Sequence, residues 1–180
     1  KLSNNLLKKT NFIFDNWAKK NILINEGGAV RISYKSLENI FNKSCLYSVS
    51  IIGKVIQTVG GSEYPPKRKK TSELLSSIFL KQFKSKSLGN VTISLHKGHF
   101  FFIRENRNVN YKVNFKKNKY FIFDGRFLAI SSISGKLMNN HSSNLMIIDP
   151  KNPFHEHNNL INRTIPCLQT LEGETIRPHL

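Results

Sequence analysis

The chain has 180 residues and a formal net charge of +17, from 28 Lys or Arg against 11 Asp or Glu. That length allows one large domain or two small ones with a buried core, and 39% hydrophobic residues, 13 of them Phe, exclude a disordered polycation. Two Cys exclude a disulfide framework and a four-cysteine zinc site, and no run of about 18 apolar residues offers a bilayer span.

In chain order, residues 3–20 read as an amphipathic helix with Leu6, Leu7, Phe14, Trp17 and Ala18 on one face. Asn25-Glu26-Gly27-Gly28 reads as the turn of a short hairpin joining Ile22–Ile24 to Ala29–Ile32. Ser33 or Ser36 starts a helix through Phe41, and Ser44 starts another through Val59, which Gly60-Gly61 ends as a C-cap. Pro65-Pro66 makes the following loop extended. Thr71-Ser72-Glu73 then opens a helix with Leu74, Leu75, Ile78, Phe79 and Phe83 on its apolar side.

From Leu88 the hydrophobic period changes to two. Val91, Ile93 and Leu95 alternate with polar residues, His96-Lys97-Gly98-His99 turns the chain, and Phe100–Arg104 returns. Tyr111–Phe115, Lys119–Phe123 and Phe127–Ser131 are expected strands, with Asp124-Gly125-Arg126 as a tight turn. A last strand is expected over Ile165–Leu171, with a turn at Glu172-Gly173, and polar loops over 139–144 and 149–159. The order gives an α+β fold: a mainly helical small bundle with a short hairpin over 1–86, then a small, mainly antiparallel β-rich domain over 87–180 with an Asn-rich loop at 139–159. Cys45 on an apolar helix and Cys167 on an apolar strand are expected to be buried free thiols, which suits a reducing compartment.

The charge has two sources. Lys outnumbers Arg by 21 to 7, beside 21 Asn and 19 Ile, a composition that AT-rich codons supply without selection for binding. Its distribution is uneven, however: residues 60–130 hold 15 basic and 4 acidic side chains, whereas 131–180 hold 4 of each. The middle third is therefore where a polyanion is expected. Lys67, Arg68, Lys69 and Lys70 are consecutive just before a helix, whose free amides and dipole also favour a phosphate. Lys81, Lys84 and Lys86 follow that helix, and Arg104, Arg107, Lys112, Lys116, Lys117, Lys119 and Arg126 add charge on the strands.

No catalytic constellation is present. Gly60-Gly61-Ser62 lacks the lysine and helix of a phosphate loop, and the carboxylates are scattered. His155 and His157 form a His-x-His pair without an evident third ligand, so no metal site is expected. Phe100, Phe101 and Phe102 are consecutive, so at least one faces a core, which weakens a base-stacking role.

Four stretches in order carry a resemblance: Val59-Gly60-Gly61-Ser62-Glu63-Tyr64-Pro65-Pro66-Lys67-Arg68, then Ser87-Leu88-Gly89-Asn90, then Phe123-Asp124-Gly125-Arg126-Phe127, and finally Thr164-Ile165-Pro166-Cys167-Leu168 running to Arg177-Pro178-His179-Leu180. They are similar to the Gly-Gly…Tyr-Pro-Pro-Arg, Thr-Leu-Gly-Gly, Trp-Asp-Gly-Arg-Phe and Leu-Pro…Pro-His-Leu segments of the C-terminal region of tRNA(Ile)-lysidine synthases of the alphaproteobacterial kind. The resemblance covers about residues 37 to 180; Phe123 for Trp, Asn90 for Gly and the Asn-rich 139–159 stretch depart from it.

The resemblance implies an ATP- and Mg2+-dependent ligase that joins lysine to the wobble cytidine of the CAU anticodon of isoleucine tRNA. Its chemistry belongs to an N-terminal domain with a Ser-Gly-Gly-x-Asp-Ser loop, a sequence this chain does not contain. No catalytic residue is carried over; the chain is expected to grip tRNA(Ile), with ATP and lysine held by the other domain and no cofactor in this one. Lys67, Arg68, Lys69, Lys70 and Arg126, with Arg104, are the expected phosphate contacts. Lys1 in place of Met fits a section of a longer enzyme, in the cytoplasm or in an organelle of bacterial descent. The alternatives are a freestanding RNA-binding or ribosome-associated module, and a structural domain whose charge is compositional drift.

Overall fold

The computed structural model describes residues 12, 15–80, 83–108, 112–139, 152–154 and 157–176. Helix α1 occupies residues 15–21; the rest of the helix expected from residue 3, apart from residue 12, lies outside the described residues. Strands β1 (Ile22–Ile24) and β2 (Val30–Ser33) form the expected antiparallel hairpin. Its turn is closed by Asn25, whose carbonyl accepts from the Gly28 amide at 2.9 Å and whose Oδ1 accepts from the Ala29 amide at 2.8 Å.

Helices α2 (Tyr34–Lys43) and α3 (Cys45–Gly60) start at the serines read from sequence. Ser33 Oγ accepts from the Ser36 amide at 3.1 Å, and Ser44 Oγ accepts from the Tyr47 amide at 3.4 Å. Gly61 ends α3 in the left-handed region at φ 61°, with its amide turned back to Gln57 and Thr58 carbonyls. The β-branched residues of α3 have modest helix propensity, so burial holds the helix: Val49, Ile51, Ile52, Val55, Ile56 and Val59 are all core residues. Cys45 is the first residue of α3 and is exposed, which corrects the expectation of a buried thiol; Cys167 is buried as expected.

Helix α4 (Arg68–Ile78) begins three residues before the expected Thr71. Thr71 is an interior residue of α4, 1% exposed, and its amide donates to the Lys67 carbonyl at 3.1 Å. The chain becomes helical as soon as the two prolines release it.

Strands β3 (Ser85–Leu88), β4 (Val91–His96) and β5 (His99–Arg104) follow, with β4 and β5 joined by Lys97 and Gly98 at φ 46° and 74°. They complete a five-stranded antiparallel sheet in the order β1-β2-β5-β4-β3. One face packs Val30, Ile32, Ile93, Phe100 and Phe102 against α2, α3 and α4. The other packs Phe101 and Ile103 against Phe154, Ile161 and Ile165. All three consecutive phenylalanines are therefore buried, and none forms a stacking platform.

The expected division at residues 86 and 87 does not separate two units. β2 pairs residue by residue with β5, and the core beneath the sheet draws on both sides of that point. A second, four-stranded antiparallel sheet, β11-β10-β9-β6, combines β6 (Lys112–Phe115), β9 (Gly135–Asn139), β10 (Pro166–Thr170) and β11 (Thr175–Ile176). β7 (Phe121–Phe123) and β8 (Phe127–Ala129) form a separate hairpin around Asp124-Gly125-Arg126. A short helix, α5 (Asn158–Asn162), begins in the last two residues of the stretch that the sequence reads as loop. The fold is α+β with mainly antiparallel sheets, and no helix among the described residues is long and apolar enough to cross a membrane.

Candidate nucleic-acid interface

Lys67, Arg68, Lys69 and Lys70 are all exposed around the N-terminus of α4. Their approach is fixed from behind. Gln57 Nε2 donates to the Glu63 carbonyl at 2.7 Å, and a side chain at Gly53 would touch Pro65. Lys67 occupies the N-cap without a capping side chain, and the first turn contains no acidic residue. Cations at the positive end of a helix dipole are unfavourable, by roughly 0.3–1 kcal/mol each in the exposed case. A phosphate at this end would reverse that sign, since amides, dipole and side chains would all attract it. Lys84 and Lys86, and Lys116, Lys117 and Lys119, are exposed as well; Lys81 lies outside the described residues.

Arg104 and Arg126 do something different, which corrects their assignment as phosphate contacts. Asp124 lies between them, and all three side chains are at most 5% exposed. Arg104 donates through Nε to Asp124 Oδ2 at 2.9 Å, through Nη2 to Oδ1 at 2.6 Å, and through Nη1 to the Asn90 carbonyl at 3.2 Å. Arg126 donates through Nε to Asp124 Oδ2 at 2.9 Å, through Nη1 to the Gly27 carbonyl at 3.3 Å, and through Nη2 to the Thr164 carbonyl at 2.6 Å. Burial pushes the Arg126 pKa down from its ordinary value, and Asp124 opposes that shift. Phosphates outside the protein cannot reach either guanidinium.

This buried triad is the centre of a joint. A Cβ on Gly61 would overlap the Asp124 carbonyl, one on Gly125 would overlap the Gly61 carbonyl, and one on Gly60 would overlap the Gly89 carbonyl. Asp124 itself holds φ at 52°, a left-handed value that Asp tolerates better than most residues. Gly60-Gly61, Gly89-Asn90, Asp124-Gly125-Arg126 and Thr164 thus meet at one place. Each belongs to a different one of the four stretches that carry the family resemblance.

His99 and His157 take framework positions. His99 Nδ1 faces the Lys97 carbonyl at 3.0 Å and Nε2 faces Arg31 Nη2 at 2.8 Å, so Nδ1 carries the proton and Nε2 accepts. His157 packs on Phe101, with ring centroids 4.3 Å apart, and His155 lies outside the described residues. Among the described residues no group of His, Cys, Asp and Glu is arranged to hold a metal. Sequence reasoning missed Asp124 as the hub, although it is one of only four acids among residues 60–130. Comparison with protein-family models, with curated proteins and with solved structures finds no match to this chain.

Proposed function

We propose that this chain is the tRNA-gripping region of a tRNA(Ile)-lysidine synthase, with the exposed run Lys67–Lys70 at the start of α4 as its main phosphate-binding surface. The observation that supports the family reading is the joint. Four short stretches, far apart in sequence, resemble the family one by one, and residues from all four are in contact here. Chance likeness in separate segments gives no reason for them to share one packing device. The tetrabasic run then has a simple role: it holds four cations at a helix end whose first turn contains no acidic residue. Activation of the wobble cytidine by ATP and Mg2+ and its attack by lysine belong, on this reading, to a separate catalytic domain.

The test is the affinity of the chain for isoleucine tRNA bearing the CAU anticodon, measured across a salt series. Binding should weaken steeply with salt, and changing Lys67–Lys70 together to Gln should reduce the log–log slope by roughly three units. A flat salt response, or an unchanged slope in the fourfold variant, refutes the surface. Lysidine formation by this chain alone refutes the division of labour. A freestanding RNA-binding module remains the second reading, because the exposed basic run serves it equally.

A further inference from the structure

A groove of about 730 Å³ lies between α1, the β1–β2 hairpin, α3 and the turn at residues 125–127. That volume falls in the range of small-ligand sites. Its walls come from Ile22, Val30, Val55 and Phe127, and Lys19 and Lys54 stand at its mouth. Thr58 and Ser62 add hydroxyls, and Gln57 adds an amide whose nitrogen already donates to Glu63, leaving its oxygen to accept. Among the described residues no Asp or Glu lines it.

The buried triad contributes to the field. Two guanidiniums share one carboxylate, so the cluster keeps one surplus positive charge, and Arg126 forms part of the groove wall. Arg126 acts there at a distance, since its nitrogens already donate to Asp124, Gly27 and Thr164. Its guanidinium also covers the Phe127 ring, 4.7 Å from the centroid. A small hydrated anion gains little from apolar walls, and an apolar molecule gains nothing from the two lysines. A ligand with a flat, weakly polar ring and an attached phosphate uses both.

We propose that this groove binds a nucleoside phosphate, with the base between the apolar walls and the phosphate at Lys19 and Lys54. The occupant is a free nucleotide or one nucleotide of an RNA strand; the chemistry recognised is the same. The site is distinct from the surface at Lys67–Lys70 and does not depend on it.

Trp17 is the one tryptophan of the sequence, and it packs on the main core immediately before Ala18 and Lys19 of the groove lining, so its fluorescence reports on the groove. Titration of the full chain with CMP and AMP should shift that emission saturably. Inorganic phosphate should leave it unchanged, and the unphosphorylated nucleosides should bind about tenfold more weakly, the loss expected for one charge-assisted contact. Lys54→Glu should weaken mononucleotide binding about tenfold or more on the same basis. Thr58→Tyr, at an exposed position on the rim, should fill the groove and abolish binding without unfolding the chain. No saturable response to mononucleotides, an equal response to inorganic phosphate, or indifference to Thr58→Tyr overturns the proposal. If Thr58→Tyr also weakens a short single-stranded RNA, the occupant is a unit of RNA; if only mononucleotides respond, it is a free nucleotide. Neutralising Lys67–Lys70 should leave mononucleotide binding intact, so either site can fail without the other.

Discussion

Replacing Asp124 by Asn keeps the shape of the side chain and tolerates the left-handed backbone at φ 52°, so it removes charge and little else. What remains is two guanidiniums, 5% and 4% exposed, without the carboxylate that both engage. Breaking a buried pair from one side destabilises by about 3–5 kcal/mol, a large part of the roughly 5–15 kcal/mol typical of a folded domain. For a chain of this size the melting temperature should fall by roughly 6–20 °C. The triad also fixes an order among variants. Arg104→Met or Arg126→Met leaves a neutral one-to-one pair, so each should cost less than Asp124→Asn. Arg126→Met additionally strips donors from the Gly27 and Thr164 carbonyls, at about 1–3 kcal/mol. Urea denaturation followed by circular dichroism, with unchanged m-values, measures all three. A loss below about 1 kcal/mol for Asp124→Asn, no more than an ordinary substitution causes, or a larger loss for either Arg variant, refutes the account.

Gly61→Ala places a Cβ on the Asp124 carbonyl at positive φ, whereas Gly98→Ala meets only the backbone term because nothing lies within 4 Å; Gly98→Ala should cost about 1–2 kcal/mol and Gly61→Ala clearly more, read from denaturation midpoints. Burial works to raise the Glu105 pKa, but hydrogen bonds from Ser87 and Arg107 outweigh it and hold the carboxyl below its usual value. The carboxylate therefore stabilises the fold above its unfolded pKa, and that contribution disappears as the pH falls through the depressed folded value. Urea midpoints for the wild type and Glu105→Gln should differ at pH 7 and converge in acid. Ile122 and Leu128 face outward on the β7–β8 hairpin, 63% and 69% exposed, so Ile122→Ser with Leu128→Ser should change stability by no more than about 0.5 kcal/mol each.

The features legible in the sequence were those with local causes. Ser44 and Gly61 bound α3 because a hydroxyl cap and a left-handed glycine act within one turn of the helix. The β4–β5 hairpin was legible because alternation and a Lys-Gly turn lie within fourteen residues of each other. Whether Arg104 and Arg126 meet solvent or Asp124 is decided by a turn 20 residues beyond Arg104, and charge counting does not see it. β3, made of Ser, Lys, Ser and Leu, carries no hydrophobic alternation to announce it; it exists because β4 offers an edge. The same limit hid the joining of the β1–β2 hairpin to β5, which makes one sheet of what composition divides at residue 86.

That sheet sets an order of events during synthesis. β5 is buried on both faces and pairs with the edge of β2 opposite β1, yet Arg31 and its neighbour His99 are 68 residues apart. As the chain leaves a ribosome, α2, α3 and α4 emerge with their apolar faces ready and no sheet to cover them. Pairing across so long a loop is slow, and the exposed surface is prone to wrong contacts until it is complete. A truncation ending at residue 98 would keep helices α1 to α4 and four of this sheet's five strands but lose the shared central strand; it should collect in the insoluble fraction, while a chain extended through β5 can close its core.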